Sequence, residues 1–430
     1  MALWIIELSD SAVSVFRDGQ RVDSSPGIAV VDNKQVFTGA DATARQYLNP
    51  RAVHSRFWQQ LNEAQLPGAS RVCRHHADLA YHHLAAILDR CGHPNEAVIA
   101  VPAHYDSNEL ALLLAICEAL KLKVGGFVDV NVAALSAAAP RGNYRVADLY
   151  LHHATLTTVE VGDECVRNAV EPVEQCGLQR AEDAWVDLIA DAFLEQSRFD
   201  PLHEAASEHL LHEQLPVWLT QARQSQEVVM ELDYHNARFT ARLPAIEFKR
   251  ITHMVLAPIA EKVMPGENLL IHNRISELAG ATDVLPGAQL LSASDVVTGI
   301  ARHRLALHVE DGPRFVTSLP ANDAPSLTLK PAQPRRNSEQ SATHLLCGDT
   351  AVAIAPRTLA LRETGLAAAD NSDEVTVEVE GNEAVITTNR SDVNLNGGAI
   401  SGQAVLCAGD VIRLGTLSVT AIRAVDRVDM

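Results

Sequence analysis

The chain has 430 residues, 47% of them hydrophobic and 21% charged, and a net charge of −19. That length allows two or three domains. So acidic a chain, with no long basic stripe, lacks the clustered Lys and Arg that a general nucleic-acid role requires. No window approaches the roughly 18 apolar residues of a membrane span. The seven cysteines are scattered and form no CxxC pair, which fits a reduced, cytoplasmic protein.

Met1-Ala2-Leu3-Trp4-Ile5-Ile6-Glu7 is apolar and then at once acidic, with no basic region. It reads as a first strand and not as a signal peptide. Residues 2–8 and 11–17 predict two strands joined by a tight turn, and residues 75–91 a helix. Glu96-Ala97-Val98-Ile99-Ala100-Val101 reads as a buried strand ended by Pro102, and 107–121 as a helix capped by Ser107. A strand over 124–130, an alanine-rich helix over 131–138, strands over 144–151 and 155–161, and one long helical stretch over 178–225 follow. Strands alternating with helices argue for an α/β fold. There is no short-period repeat. Residues 311–342 carry Pro313, Pro320, Pro325, Pro331 and Pro334 ahead of a polar run, which predicts a linker. From 343 onward, short Val-, Ile- and Thr-rich runs separated by Gly, Asn and Asp predict a small all-β sandwich.

Within CRHHADLAYHHL, His75 aligns with His82, and His76 with His83, on one helix face. Residues seven apart lie about 10 Å apart along the axis, too far for one ion. An exposed or half-buried helix face is the expectation. Ser107, Ser294 and Asp295 have no nucleophile-elbow context, and Cys117 reads as core.

The segment EAVIAVPAHYDSNELALLLAICEALKLKVGGFVDVNVAALSAAA (96–139) resembles the stretch of the heat-shock-70 (DnaK-type) chaperones that runs AVITVPAYF, helix, NEPTAAALAYG. Pro26 to Leu61, AEDAWVDLIADAFLEQSRFDP, LPAIEFKRI (243–251) and NLLIHNRISELAG (268–280) resemble further segments of that family, in the same order over about 300 residues. The resemblance implies a two-lobed, actin-like fold, each lobe on a five-stranded sheet. In the family, two glycine hairpins and a third glycine turn hold ATP in the cleft. Backbone N–H groups reach phosphate only where no side chain obstructs.

Those glycines are missing. Where the family has DLGTT, this chain reads Glu7-Leu8-Ser9-Asp10-Ser11. Against DLGGGTFD, the best register is Tyr150 to Thr157, with His152, His153 and Ala154 for the glycines and Thr155 for the threonine. A register shifted by two would place Asp148 at the first aspartate. His272-Asn273 replaces the adenosine-side Gly-Gly, the family's lysine falls near Ser55 beside Arg56, and Asp129 stands where the family has the glutamate of NEPTA. The region 394–415 is similar to the last third of forkhead-associated (FHA) domains, with Asn396-Gly397 and Gly409-Asp410 as turns. Arg357 lies where an FHA domain has its phosphate-binding arginine, but no Ser-x-x-His follows, which argues against phosphothreonine readout.

The resemblances together imply an actin-like body over 1–310, a proline-rich linker over 311–342 and an FHA-like sandwich over 343–430. They imply a scaffold or adaptor with no catalytic residue, no metal and no cofactor, since ATP and magnesium lose their ligands. A catalytically intact heat-shock-70-like or actin-like protein would suit as partner. The alternative is an enzyme or sensor that still binds nucleotide or another anion through His152, His153, Arg56 and Asp129, with imidazolium pairing to phosphate near neutral pH.

Overall fold

The computed structural model describes residues 2–32, 35–66, 72–307, 313–321, 342–347, 350–356, 358–362, 365–369, 374–380, 383–390, 392–395, 398–400, 402–415 and 417–422. The class is mixed α/β, with eleven α-helices among the described residues. The chain divides into two compact units, Met1–Pro334 and Arg335–Met430. No helix among the described residues is long and apolar enough to cross a membrane.

The first unit opens on an antiparallel meander of β1 (Trp4–Glu7), β2 (Ala12–Arg17) and β3 (Gln20–Pro26). After a small three-stranded sheet (Ala29–Val31, Val36–Thr38, Val53–His54) come α1 (His76–Arg90), β4 (Glu96–Val101), α2 (Ser107–Ala119), β5 (Lys123–Asp129) and α3 (Val130–Ala138). Strand β4 runs parallel to β1, and β5 parallel to β4.

The same plan then repeats. A second meander is formed by β6 (Gly142–Leu149), β7 (Ala154–Val161) and β8 (Glu164–Val173). Helices α4 (Leu178–Ser197) and α5 (Ala205–Gln224), the hairpin of β9 (Glu227–Tyr234) and β10 (Ala237–Pro244), and α6 (Ala245–Ala260) follow. Strand β11 (Asn268–His272) lies parallel to β6, β12 (Gln289–Leu291) parallel to β11, and α7 (Ala293–Arg302) comes next. The sheets are ordered β3-β2-β1-β4-β5 and β8-β7-β6-β11-β12. The unit is therefore a tandem of two halves with one topology.

The counterpart helices α3 and α7 join the halves. Every residue of α3 is buried. A Cβ built on Gly299 of α7 would stand 1.8 Å from the Ala133 carbonyl oxygen, so only glycine permits this approach.

Three expectations change. The stretch 178–225 is two helices, because Arg198 turns left-handed at φ 56° and Pro201 follows. His83 is fully buried: its Nδ1 accepts from Trp58 Nε1 at 2.9 Å, and its Nε2 lies 2.8 Å from Ser25 Oγ. Burial, ahead of Arg90, holds its pKa down to about 3. Part of the expected linker belongs to the first unit's sheets. Strand β13 (Phe315–Val316) extends the first sheet beside β5, and β14 (Ser318–Pro320) extends the second beside β8. Edge strands tolerate proline, which is why the proline count misled. Residues 322–341 lie outside the described residues.

The second unit is two antiparallel sheets around Leu345, Leu361, Val377, Ile386, Ile412 and Val419. The expected hairpin pairs Val375–Glu380 with Glu383–Thr388. At the Gly409-Asp410 turn, Asp410 Oδ2 accepts the Cys407 N–H at 2.8 Å.

Candidate functional site: the facing turns

Glu7 opposes Ser14 across the first turn as Asp148 opposes Thr155 across the second. Glu7 therefore corresponds to Asp148 and Asp10 to Leu151. Each turn is braced from behind by a glycine that follows the third strand. A Cβ on Gly27 would stand 1.9 Å from the Asp10 carbonyl oxygen, and one on Gly177 2.7 Å from the His152 carbonyl carbon.

The two turns meet directly. Asp10 Oδ1 accepts the Leu151 N–H at 2.7 Å. Burial pushes the Asp10 carboxyl up to about 6, against the Leu151 and His152 N–H groups and Arg274, all of which favour its charge. Its Oδ2 is buried without a partner. Ser9 turns aside, its Oγ 2.9 Å from Ser11 Oγ.

Arg274, directly after β11, ties the two equivalent carboxylates together. Its Nη1 lies 3.3 Å from Glu7 Oε1, and its Nη2 donates to both oxygens of Asp148 at 2.8 and 3.0 Å. Burial opposes the charge on Arg274, but Asp148 and Glu7 outweigh it and its pKa rises. Burial is likewise the largest influence on Asp148 and works against its charge, but Arg274, His272 and the hydrogen bonds it accepts together outweigh it, so that carboxyl lies below its usual range. The guanidinium stands 5.9 Å from the centre of the Tyr150 ring.

Around this core lie imidazoles. His152 Nε2 is 3.0 Å from Ser55 Oγ and 3.2 Å from the Ser55 carbonyl oxygen. His153 stacks on Tyr150, with centroids 4.8 Å apart, and its Nε2 is 3.5 Å from His104 Nδ1. Burial lowers all three histidines, His152 to about 4 and His104 to about 3. The expected imidazolium pair at 152–153 is thus neutral at pH 7, a consequence of desolvation with Arg56 adding to it at His152. Arg56 is exposed and donates to Gln59 Oε1 at 2.9 Å.

Asp129 serves elsewhere. Its Oδ1 caps α3 by accepting the Asn131 and Val132 N–H groups at 2.9 and 3.0 Å, and its Oδ2 pairs with Arg167 Nη1 at 2.9 Å. Asn131 donates to Thr157 Oγ1 at 3.0 Å, and its Oδ1 lies 2.8 Å from His272 Nε2. His272 and Asp129 therefore belong to the seam between the halves. The Thr155 hydroxyl is buried without a partner, and Asn273 opens the short helix that carries Arg274. Arg357, Asn396 and Gly397 lie outside the described residues. Among the described residues no group of three or more His, Cys, Asp and Glu side chains could hold a metal ion.

Sequence reasoning missed Arg274, Tyr150 and His104, and set Asp148 aside. Two signals were available: a lone cation directly after the apolar NLLIH, and the parallel between Glu7-Leu8 and Asp148-Leu149. No family model matches the chain, and no curated protein matches it.

Proposed function

We propose that this protein is a non-catalytic scaffold or adaptor. In this reading the first unit is a degenerate actin-like body of the heat-shock-70 kind, and the second is an FHA-like interaction module. The tandem topology supports the body. The observation that carries the function is the Asp10–Leu151 hydrogen bond. A carboxylate of the chain itself sits on a turn N–H, the kind of donor the family offers to phosphate. Arg274 supplies a cation between Glu7 and Asp148, the positions that correspond to the family's metal-side aspartates. Anion and cation are both internal, which leaves the cleft electrostatically served without nucleotide. The partner is a protein, and a catalytically intact relative is the first to test.

The test is thermal unfolding with and without millimolar ATP or ADP and magnesium. A ligand at about 100 times its Kd would stabilise the fold by about 2.7 kcal/mol. No shift is expected, and a clear one would overturn the reading. A second arm uses Asp10→Gly, which should gain stabilisation by millimolar phosphate that the wild type lacks. Equal behaviour of the two proteins would show that Asp10 does not stand in for an anion.

A further inference from the structure

We infer that the surface cavity between the α4–α5 connection and the tip of the β9–β10 hairpin binds the arginine side chain of a partner protein. The cavity holds about 320 Å³, the lower end of the ligand-sized range. Its wall is aromatic: Phe199 and Phe239 stack with centroids 4.0 Å apart, and the Tyr234 ring lies 5.9 Å from Phe199. The backbone fixes these rings. Arg198 ends α4 in a left-handed conformation and delivers Phe199, while left-handed His235 and Asn236 make the two-residue hairpin turn beside Tyr234. All three rings are only half-buried, and aromatic surface gathered at one spot marks a contact site.

The charges at this cavity select the occupant. Asp200 and Glu204 line it against one cation, Arg198. Asp200 Oδ1 is taken by the Leu202 N–H at 3.0 Å. Glu204 Oε2 accepts the Tyr234 hydroxyl at 2.6 Å and lies 4.0 Å from His235 Nε2, yet the Glu204 side chain is 55% exposed. A carboxylate has about four lone-pair sites, so Glu204 can accept further donors. An aromatic face next to such a carboxylate suits a guanidinium, which is planar, weakly hydrated and able to stack while donating in a fork. A lysine ammonium is compact and strongly hydrated, and fits the flat wall less well. The inference deepens the adaptor reading by naming one surface. It rests on that reading only for the arginine belonging to a protein.

The test is an NMR titration of the full chain with acetyl-Gly-Arg-Gly-amide and with the same peptide carrying citrulline, which keeps the shape and removes the charge. Saturable millimolar binding of the arginine peptide is expected, with citrulline about fivefold weaker. Glu204→Gln should weaken the arginine peptide by about the same factor while circular dichroism stays unchanged. Equal affinity for the two peptides, no effect of Glu204→Gln, or no saturation by about 20 mM would each overturn the site. The citrulline arm uses the unmodified protein and so does not depend on a variant folding. Stabilisation by nucleotide would sink the adaptor reading and leave these outcomes standing on their own.

Discussion

The two halves of the first unit share a topology and differ in the residues of the turns through which they face each other. The first half's turn carries a side-chain acceptor, Asp10; the second half's turn presents a backbone donor, Leu151. The first strands of both halves keep a carboxylate at the same register position, Glu7 and Asp148, and one arginine from the second half serves both. The bracing glycines, Gly27 and Gly177, stand behind turns that have no glycine of their own. The two turns are thus complementary: one half supplies the acceptor and the other the donor.

The sharpest way to break this comparison is Arg274→Met. It leaves Glu7 and Asp148 buried without their cation, and unpairing a buried ion pair costs about 3–5 kcal/mol. Denaturant unfolding should show a loss of that order. A loss near zero would mean that the halves are not joined through this arginine. Next come the glycines. Gly27→Ala should cost about 3 kcal/mol, and Gly177→Ala about 1–2, because the clash with backbone is closer at Gly27. The reverse order in thermal unfolding would show that the second turn is the stiffer one.

Asp10→Asn is expected to stabilise. The Asp10 carboxyl is raised from 3.8 to about 6 in the folded protein, so the native state binds its proton more tightly than the unfolded chain does. Its contribution is fully present below about pH 4 and is lost as pH rises through about 6. Asparagine can still accept the Leu151 N–H and carries no buried charge. The variant should exceed the wild type by about 2–3 kcal/mol near pH 8 and match it near pH 4. A stability difference between the two that does not change with pH would contradict the raised pKa. The smallest effect is Ser55→Ala, which removes one contact to His152 and should cost about 0.5–1 kcal/mol in the same assay.

Much of the alternation of strands and helices was legible. Strands such as 96–101 are apolar runs bounded by Pro or charge, and α2 announces its N-terminus with Asp106, Ser107 and Glu109, the cap being Asp106 in place of Ser107. The two-half plan was expected only through the resemblance and not from any internal repeat, because a shared topology needs only matching hydrophobic spacing. The candidate site was half legible. Missing glycines show in a sequence, but what fills their place depends on long-range geometry. Arg274 lies 267 positions from Glu7 and 126 from Asp148, so no local pattern joins them. The histidines were misjudged for a related reason: their charge follows from burial, which spacing does not report.

The segment through β13 and β14 has a mechanical consequence. Phe127 N–H bonds to the Arg314 carbonyl at 3.0 Å, and Arg167 N–H to that of Thr317 at 3.0 Å, so one short stretch is stitched to both sheets. Tension arriving along the chain from its C-terminal side meets β14 and the second sheet before it reaches β13 and the first. The load is taken up by backbone hydrogen bonds in sequence, as a seam takes a pull stitch by stitch.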